Sequence, residues 1–170
     1  MYYWTVGFIK TLARIVERRG NTRQSDTKGK RHYEEKSYPA SLEIMRPKLG
    51  FRDDVGIEFR SKMEANVYRF YKYLELTHGK IKVRYEPRLF TFPLDSDNRF
   101  GIRGYVPDLE VISDSGVWYI EVKGSLSDKD REKFRLLSTH YPRVKLFVIF
   151  PEQYNLIRKN YASLISGWEW

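Results

Sequence analysis

Tyr105-Val106-Pro107-Asp108-Leu109-Glu110-Val111-Ile112, then Ser113-Asp114-Ser115-Gly116, then Val117-Trp118-Tyr119-Ile120-Glu121-Val122-Lys123 is the stretch that decides the fold. Both flanking runs are rich in β-branched and aromatic residues. The Ser-Asp-Ser-Gly segment between them is turn chemistry, so the pair reads as a hairpin. Ser127–Tyr141 follows with Phe134, Leu137 and Tyr141 at helical spacing. Val144–Phe150 is a short apolar run, the pattern of a strand buried on both faces. A strand, a helix and a strand in succession imply a parallel pair joined by a crossover. Joined to the antiparallel hairpin, that pair makes the sheet mixed and the class α/β, with helices on the sheet faces.

The pattern extends in both directions. Residues 61–78 carry Val67, Phe70, Tyr71 and Leu74 as a helical stripe that Gly79 closes. Residues 81–86 alternate as a strand, and Leu89–Pro93 reads as another. Pro151 suits the first turn of a final helix. Three zones are expected: an amphipathic helix over residues 1–20, a basic arm or linker with little regular structure over 21–58, and a domain over 59–170. The N-terminal helix has Val6, Ile9, Leu12 and Val16 near helical spacing, with Lys10, Arg14, Arg18 and Arg19 between them.

A chain of 170 residues suits one domain with a sizeable core. Its 41% hydrophobic and 31% charged residues argue against disorder. The net charge of +9 favours a polyanionic partner, nucleic acid first and an anionic membrane surface second. The absence of cysteine excludes disulfides, thiolate zinc sites and thiol nucleophiles, and is compatible with a reducing cytoplasm. No signal-peptide pattern is visible at the start, so a cytoplasmic protein is expected.

The chemistry sits in the hairpin. Side chains alternate along a strand, so Glu121 and Lys123 share one face while Ile120 and Val122 take the other. With the turn at 113–116, each cross-strand pair of numbers sums to 229, which sets Asp108 opposite Glu121. Two carboxylates facing each other destabilise a ladder unless a proton or a cation neutralises them. Hard oxygen ligands at that spacing suit Mg²⁺ or Mn²⁺, and Lys123 can reach the same place. Such a metal lowers the pKa of a bound water and neutralises a scissile phosphate, as phosphodiester hydrolysis requires. A salt bridge on an exposed strand is the alternative for an isolated Glu-X-Lys.

Pro107-Asp108, then Glu121-Val122-Lys123, resembles the signature of the PD-(D/E)XK nuclease superfamily. Phe59-Arg60-Ser61-Lys62-Met63-Glu64, Tyr85-Glu86, Tyr105–Leu109 and Ile120–Gly124 resemble successive blocks of the phage endonuclease I family of Holliday junction resolvases, over about residues 59–150. The resemblance implies a restriction-endonuclease-like mixed β-sheet flanked by helices, and an Mg²⁺-dependent endonuclease in which Mn²⁺ substitutes. Asp108, Glu121 and the Val122 backbone carbonyl are implied as metal ligands and Lys123 as the catalytic lysine. It further implies DNA as substrate, with four-way junctions competing against ordinary duplex or single strands, a homodimer, and a bacterial or phage-infected cell. Glu64 is implied as the third acidic member of the site; Ser61 and Glu64 equally form a helix capping box, and Glu86 is the alternative acid.

Arg60, Lys62, Lys129 and Arg131 near helix starts, together with Arg103 in Phe100–Gly104, are candidate phosphate contacts, or else solvated side chains. His32, His78 and His140 have no paired metal-ligand spacing. Two other readings compete: a non-catalytic DNA-binding subunit with a nuclease-like fold, and a membrane-associated protein anchored by residues 2–19.

Overall fold

In a computed structural model that describes residues 50–170, the chain forms eight strands and three α-helices among the described residues. In order these are β1 (Phe51–Arg52), β2 (Ile57–Glu58), α1 (Lys62–His78), β3 (Ile81–Tyr85), β4 (Phe90–Thr91), β5 (Gly104–Tyr105), β6 (Leu109–Ser113), β7 (Gly116–Val122), α2 (Asp128–His140), β8 (Leu146–Ile149) and α3 (Pro151–Tyr161). A 3-10 turn, Ala162–Leu164, follows. The expected helix over 1–20 and the arm up to residue 49 lie outside the described residues.

A four-stranded sheet in the order β3-β6-β7-β8 is the frame. β6 pairs antiparallel with β3 on one side and with β7 on the other, and β8 joins β7 in parallel after the α2 crossover, so the sheet is mixed. The hairpin register is the one expected, from Leu109↔Ile120 to Ser113↔Gly116. Gly116 closes its turn at φ 117, a conformation open to glycine and poor for other residues. At the other end of the frame, Gly79 stops α1 at φ 62, with its N–H on the Glu75 carbonyl.

Helices cover the sheet. α1 lies along β3 and reaches β7, and α3 packs against α1 and β8. The α1 stripe of Val67, Phe70, Tyr71 and Leu74 is buried. A second cluster joins Leu136 and Leu137 of α2 to Tyr119 of β7 and to Phe90, Phe92, Ile102 and Tyr105 around β4 and β5. Tyr119 and Glu121 share a strand face by alternation, so this cluster floors the region where Glu121 projects. No helix among the described residues is long and apolar enough to cross a membrane.

Four expectations need correction. The run Tyr105–Ile112 is not one strand: Gly104–Tyr105 pairs with Phe90–Thr91 in a separate two-stranded ribbon, and the main-sheet strand starts at Leu109. The buried Pro107 lies in the break; it has no N–H to offer a ladder. β3 ends at Tyr85, because Glu86 turns to φ 39, outside the strand conformation. In β8, Phe147 and Ile149 are buried but Leu146 and Val148 only partly so, since β8 is an edge strand. Finally, the arm expected up to residue 58 gives way, over its last residues, to the β1–β2 pair.

That pair is tied to the C-terminus by charge. Arg69 of α1 is buried, and its guanidinium binds both oxygens of Asp54 at 2.8 and 2.7 Å and Glu169 at 2.9 Å. Arg52 binds the two Glu169 oxygens at 2.8 and 3.0 Å. Asn66 holds the Glu169 backbone through both its N–H and its C=O, at 2.9 and 2.7 Å. Removing one partner of a buried charge network leaves the other undercompensated, typically at about 3 kcal/mol. Glu169→Ala is therefore expected to lower the urea midpoint by a comparable stability loss, while Trp170→Ala, whose side chain is exposed, leaves it within error.

Candidate active site

Three carboxylates that belong in water are buried at one end of the sheet. Glu64, Asp108 and Glu121 are only 4%, 5% and 4% exposed. Glu64 comes from the first turn of α1, Asp108 from the residue before β6, and Glu121 from the last turn of side-chain alternation in β7. The ladder stops at Leu109↔Ile120, so Asp108 stands one step beyond the last pair, where its carboxylate Oδ2 accepts the Val122 N–H at 2.7 Å. Its backbone carbonyl accepts the Glu86 N–H at 2.8 Å. Val122 thus engages Asp108 through its N–H, a group distinct from the carbonyl expected as a ligand.

Each of the other two acids is gripped by a tyrosine. Tyr105 donates to Glu121 Oε2 at 2.7 Å and Tyr85 donates to Glu64 Oε1 at 2.9 Å. Burial and the adjacent carboxylates push both phenols well above their ordinary pKa, so both remain donors. The capping expectation for Glu64 holds in part. Ser61 Oγ accepts the Glu64 N–H at 3.1 Å, but the Glu64 carboxylate bonds the N–H of Arg60 rather than that of Ser61. Capping and membership of the acidic group are therefore compatible in one side chain.

Lys123 supplies the local positive charge. Its ammonium lies 2.9 Å from Glu121 Oε1 and 3.3 Å from Asp130 Oδ1. Burial alone would lower its pKa, but hydrogen bonding and charge from Glu121 and Asp130 outweigh burial and raise it. The lysine is consequently a cation throughout the neutral range. It is suited to binding negative charge and poorly suited to removing a proton. Asp108 goes the other way: burial, then the charges of Glu121 and Glu64, push its carboxyl up to about 7 against the pull of the Val122 N–H and Lys123.

The donor chemistry fits a hard divalent cation, which takes carboxylate oxygens and relieves this repulsion. Asp108 Oδ1 accepts no hydrogen bond among the described residues, which leaves it open to such a partner. The remaining oxygens are engaged, by Tyr105, Lys123, Tyr85 and the Arg60 N–H. No group of three or more histidine, aspartate or glutamate side chains among the described residues is placed to hold a cation. Glu86, the alternative acid, is exposed and its Oε1 binds Arg60 at 2.7 Å. The charge of Glu64 acts on Asp108 together with that of Glu121.

The candidate phosphate contacts are dispersed. A cleft of about 780 Å³ opens at the start of α1, with Arg60, Lys62, Tyr85 and Glu86 in its wall; Asp108, Glu121 and Lys123 do not line it. Lys62 donates to the Trp170 carbonyl at 3.0 Å. Arg103 is exposed just before β5, and Lys129 and Arg131 are exposed in the first turn of α2. The partners Tyr85, Tyr105 and Asp130 were not identified from the sequence. Asp130 had a legible signal, the Ser127-x-x-Asp130 capping pattern; the tyrosines had none, because their sequence distance from the acids they bind is set by the tertiary fold. No protein-family model matches the chain, and it has no match among curated proteins or solved structures.

Proposed function

We propose that this protein is a metal-dependent endodeoxyribonuclease of the PD-(D/E)XK type on a restriction-endonuclease-like sheet, hydrolysing phosphodiester bonds in DNA. One observation carries the reading. Asp108 and Glu121 are buried within hydrogen-bonding range of the same strand end, with the Lys123 ammonium 2.9 Å from Glu121. A purely structural sheet has no physical use for buried like charges at that point, since apolar residues of similar volume would be at least as stable there.

Asp108, Glu121 and Glu64 would hold Mg²⁺, or Mn²⁺ in its place, with the Val122 carbonyl as a further ligand. When bound, the ion supplies an activated water and neutralises the scissile phosphate. The chain's own residues do the rest. Tyr105 and Tyr85 fix the rotamers of Glu121 and Glu64. Lys123 presents a permanent positive charge to a phosphate oxygen or orients the attacking water. Arg60, Lys62, Arg103, Lys129 and Arg131 are proposed to follow the DNA backbone, in keeping with the net charge of +9. A four-way junction is the proposed substrate and a homodimer the proposed assembly, because cutting two opposed strands takes two sites. A cytoplasmic location completes the reading.

The test is cleavage of a labelled four-way junction, the matching linear duplex and a single strand, each with Mg²⁺, Mn²⁺ or EDTA. Paired symmetric cuts in the junction that vanish with EDTA are the expected result. Cuts in all three substrates would retain the nuclease and remove the junction preference. DNA binding without metal-dependent cutting would replace the proposal with a non-catalytic binding subunit.

A further inference from the structure

We propose that Asp130 is a positioning residue for Lys123, holding its ammonium through one carboxylate oxygen while the other caps the helix that carries it. The inference rests on the reading of Lys123 given above. The division of labour is visible atom by atom. Oδ2 accepts from the Ser127 N–H at 3.2 Å and the Ser127 hydroxyl at 2.5 Å, and Ser127 Oγ in return accepts the Asp130 N–H at 3.1 Å. This reciprocal box caps the N-terminus of α2. Oδ1 faces the other way, 3.3 Å from Lys123 Nζ and 3.4 Å from Lys133 Nζ.

Capping needs only an oxygen acceptor at this position, and a neutral Gln serves the box as a carboxylate does. The pairing with Lys123 is what uses the charge. It also solves a problem within the site. Glu121 is the closer partner of Lys123, yet Glu121 is a proposed metal ligand, and any oxygen given to a cation is withdrawn from the lysine. Asp130 sits on a different element, α2, and keeps its hold when Glu121 is otherwise engaged. A lysine with four rotatable bonds and one remaining anchor stays aimed.

Three full-length variants separate the two roles. Asp130→Gln keeps the cap and removes the charge; single-turnover cleavage is expected to fall between about ten- and a hundredfold, with KM little changed and the melting temperature nearly that of wild type. Asp130→Glu keeps both and is expected to restore most of the rate. Ser127→Ala breaks the cap and leaves the carboxylate; it is expected to melt a few degrees lower while cutting at close to the wild-type rate. Wild-type cutting by Asp130→Gln, or an equal rate loss in Ser127→Ala, would overturn the proposal. A second readout needs no cleavage at all. In ¹⁵N-lysine-labelled protein in which Glu121→Gln has removed the competing charge, the Lys123 ammonium resonance should be slow to exchange with Asp130 intact and with Ser127→Ala added, and fast with Asp130→Gln added. Unchanged exchange in Asp130→Gln overturns the positioning role even if the protein cuts no DNA; altered exchange in a protein that cuts no DNA sustains the contact and sinks only the nuclease reading.

Discussion

Asp108→Asn is expected to abolish cleavage and at the same time raise the melting temperature of the metal-free protein. The two effects share one cause. The Asp108 carboxylate is 5% exposed and faces the charges of Glu121 and Glu64, so ionising it without a cation beside it is costly. Asparagine retains an oxygen for the Val122 N–H and offers an N–H₂ donor to the neighbouring acids, while losing the charge a cation would need. A rise of the carboxyl from 3.8 to about 7 corresponds to at most about 4 kcal/mol against the ionised form. The direction with pH follows. The folded protein binds this proton more tightly than the unfolded chain does, so the contribution to stability is greatest below about pH 4. It declines as pH rises and is fully lost above about pH 7. Thermal melts of wild type in EDTA should therefore fall across that window more steeply than melts of Asp108→Asn. Mg²⁺ should raise the wild-type melting temperature more at about pH 8 than at about pH 5, and leave the variant unmoved. A variant that cuts DNA, or that melts below wild type at pH 8, contradicts the assignment of Asp108.

Lys123→Met should have the opposite effect on stability and a similar effect on activity. Removing the ammonium leaves Glu121 buried near the Asp108 carboxylate, with the Tyr105 hydroxyl as its remaining close partner. Breaking a buried ion pair from one side costs about 3–5 kcal/mol, and the partial exposure of Lys123 places the expectation toward 2–3 kcal/mol. Cleavage should fall by about a thousandfold, the usual scale for a group that stabilises transition-state charge. Lys123→Arg separates the two losses: a guanidinium restores the charge and most of the stability, but its wider fork cannot occupy the position of a compact ammonium, so cleavage stays low. Urea unfolding and single-turnover cleavage read the two quantities independently. A methionine variant with wild-type stability would mean that Lys123 is solvated rather than paired with Glu121.

The secondary elements and the hairpin register were legible in the sequence, for reasons that are local. Alternation in 117–123, the turn chemistry of 113–116 and the helical stripe of α1 are decided by near neighbours. The register then brought Asp108 and Glu121 to the same strand end without further information. Less legible were the break at Val106–Asp108, which arises because Tyr105 pairs with Phe90 and not with the main sheet, and the β1–β2 pair. That pair is held by Glu169 and Arg69, partners distant in the chain.

By itself, then, the amino-acid order determined the strands of the four-stranded sheet, the alternation of faces along them, and that Glu121 and Lys123 share a face. These follow from a period of two and from turn geometry. The tertiary structure alone decided which partners the charges have: Tyr105 on Glu121, Tyr85 on Glu64, and Asp130 on Lys123. Those contacts join separate elements, and their energies depend on burial and on distances of about 3 Å that no one-dimensional pattern encodes.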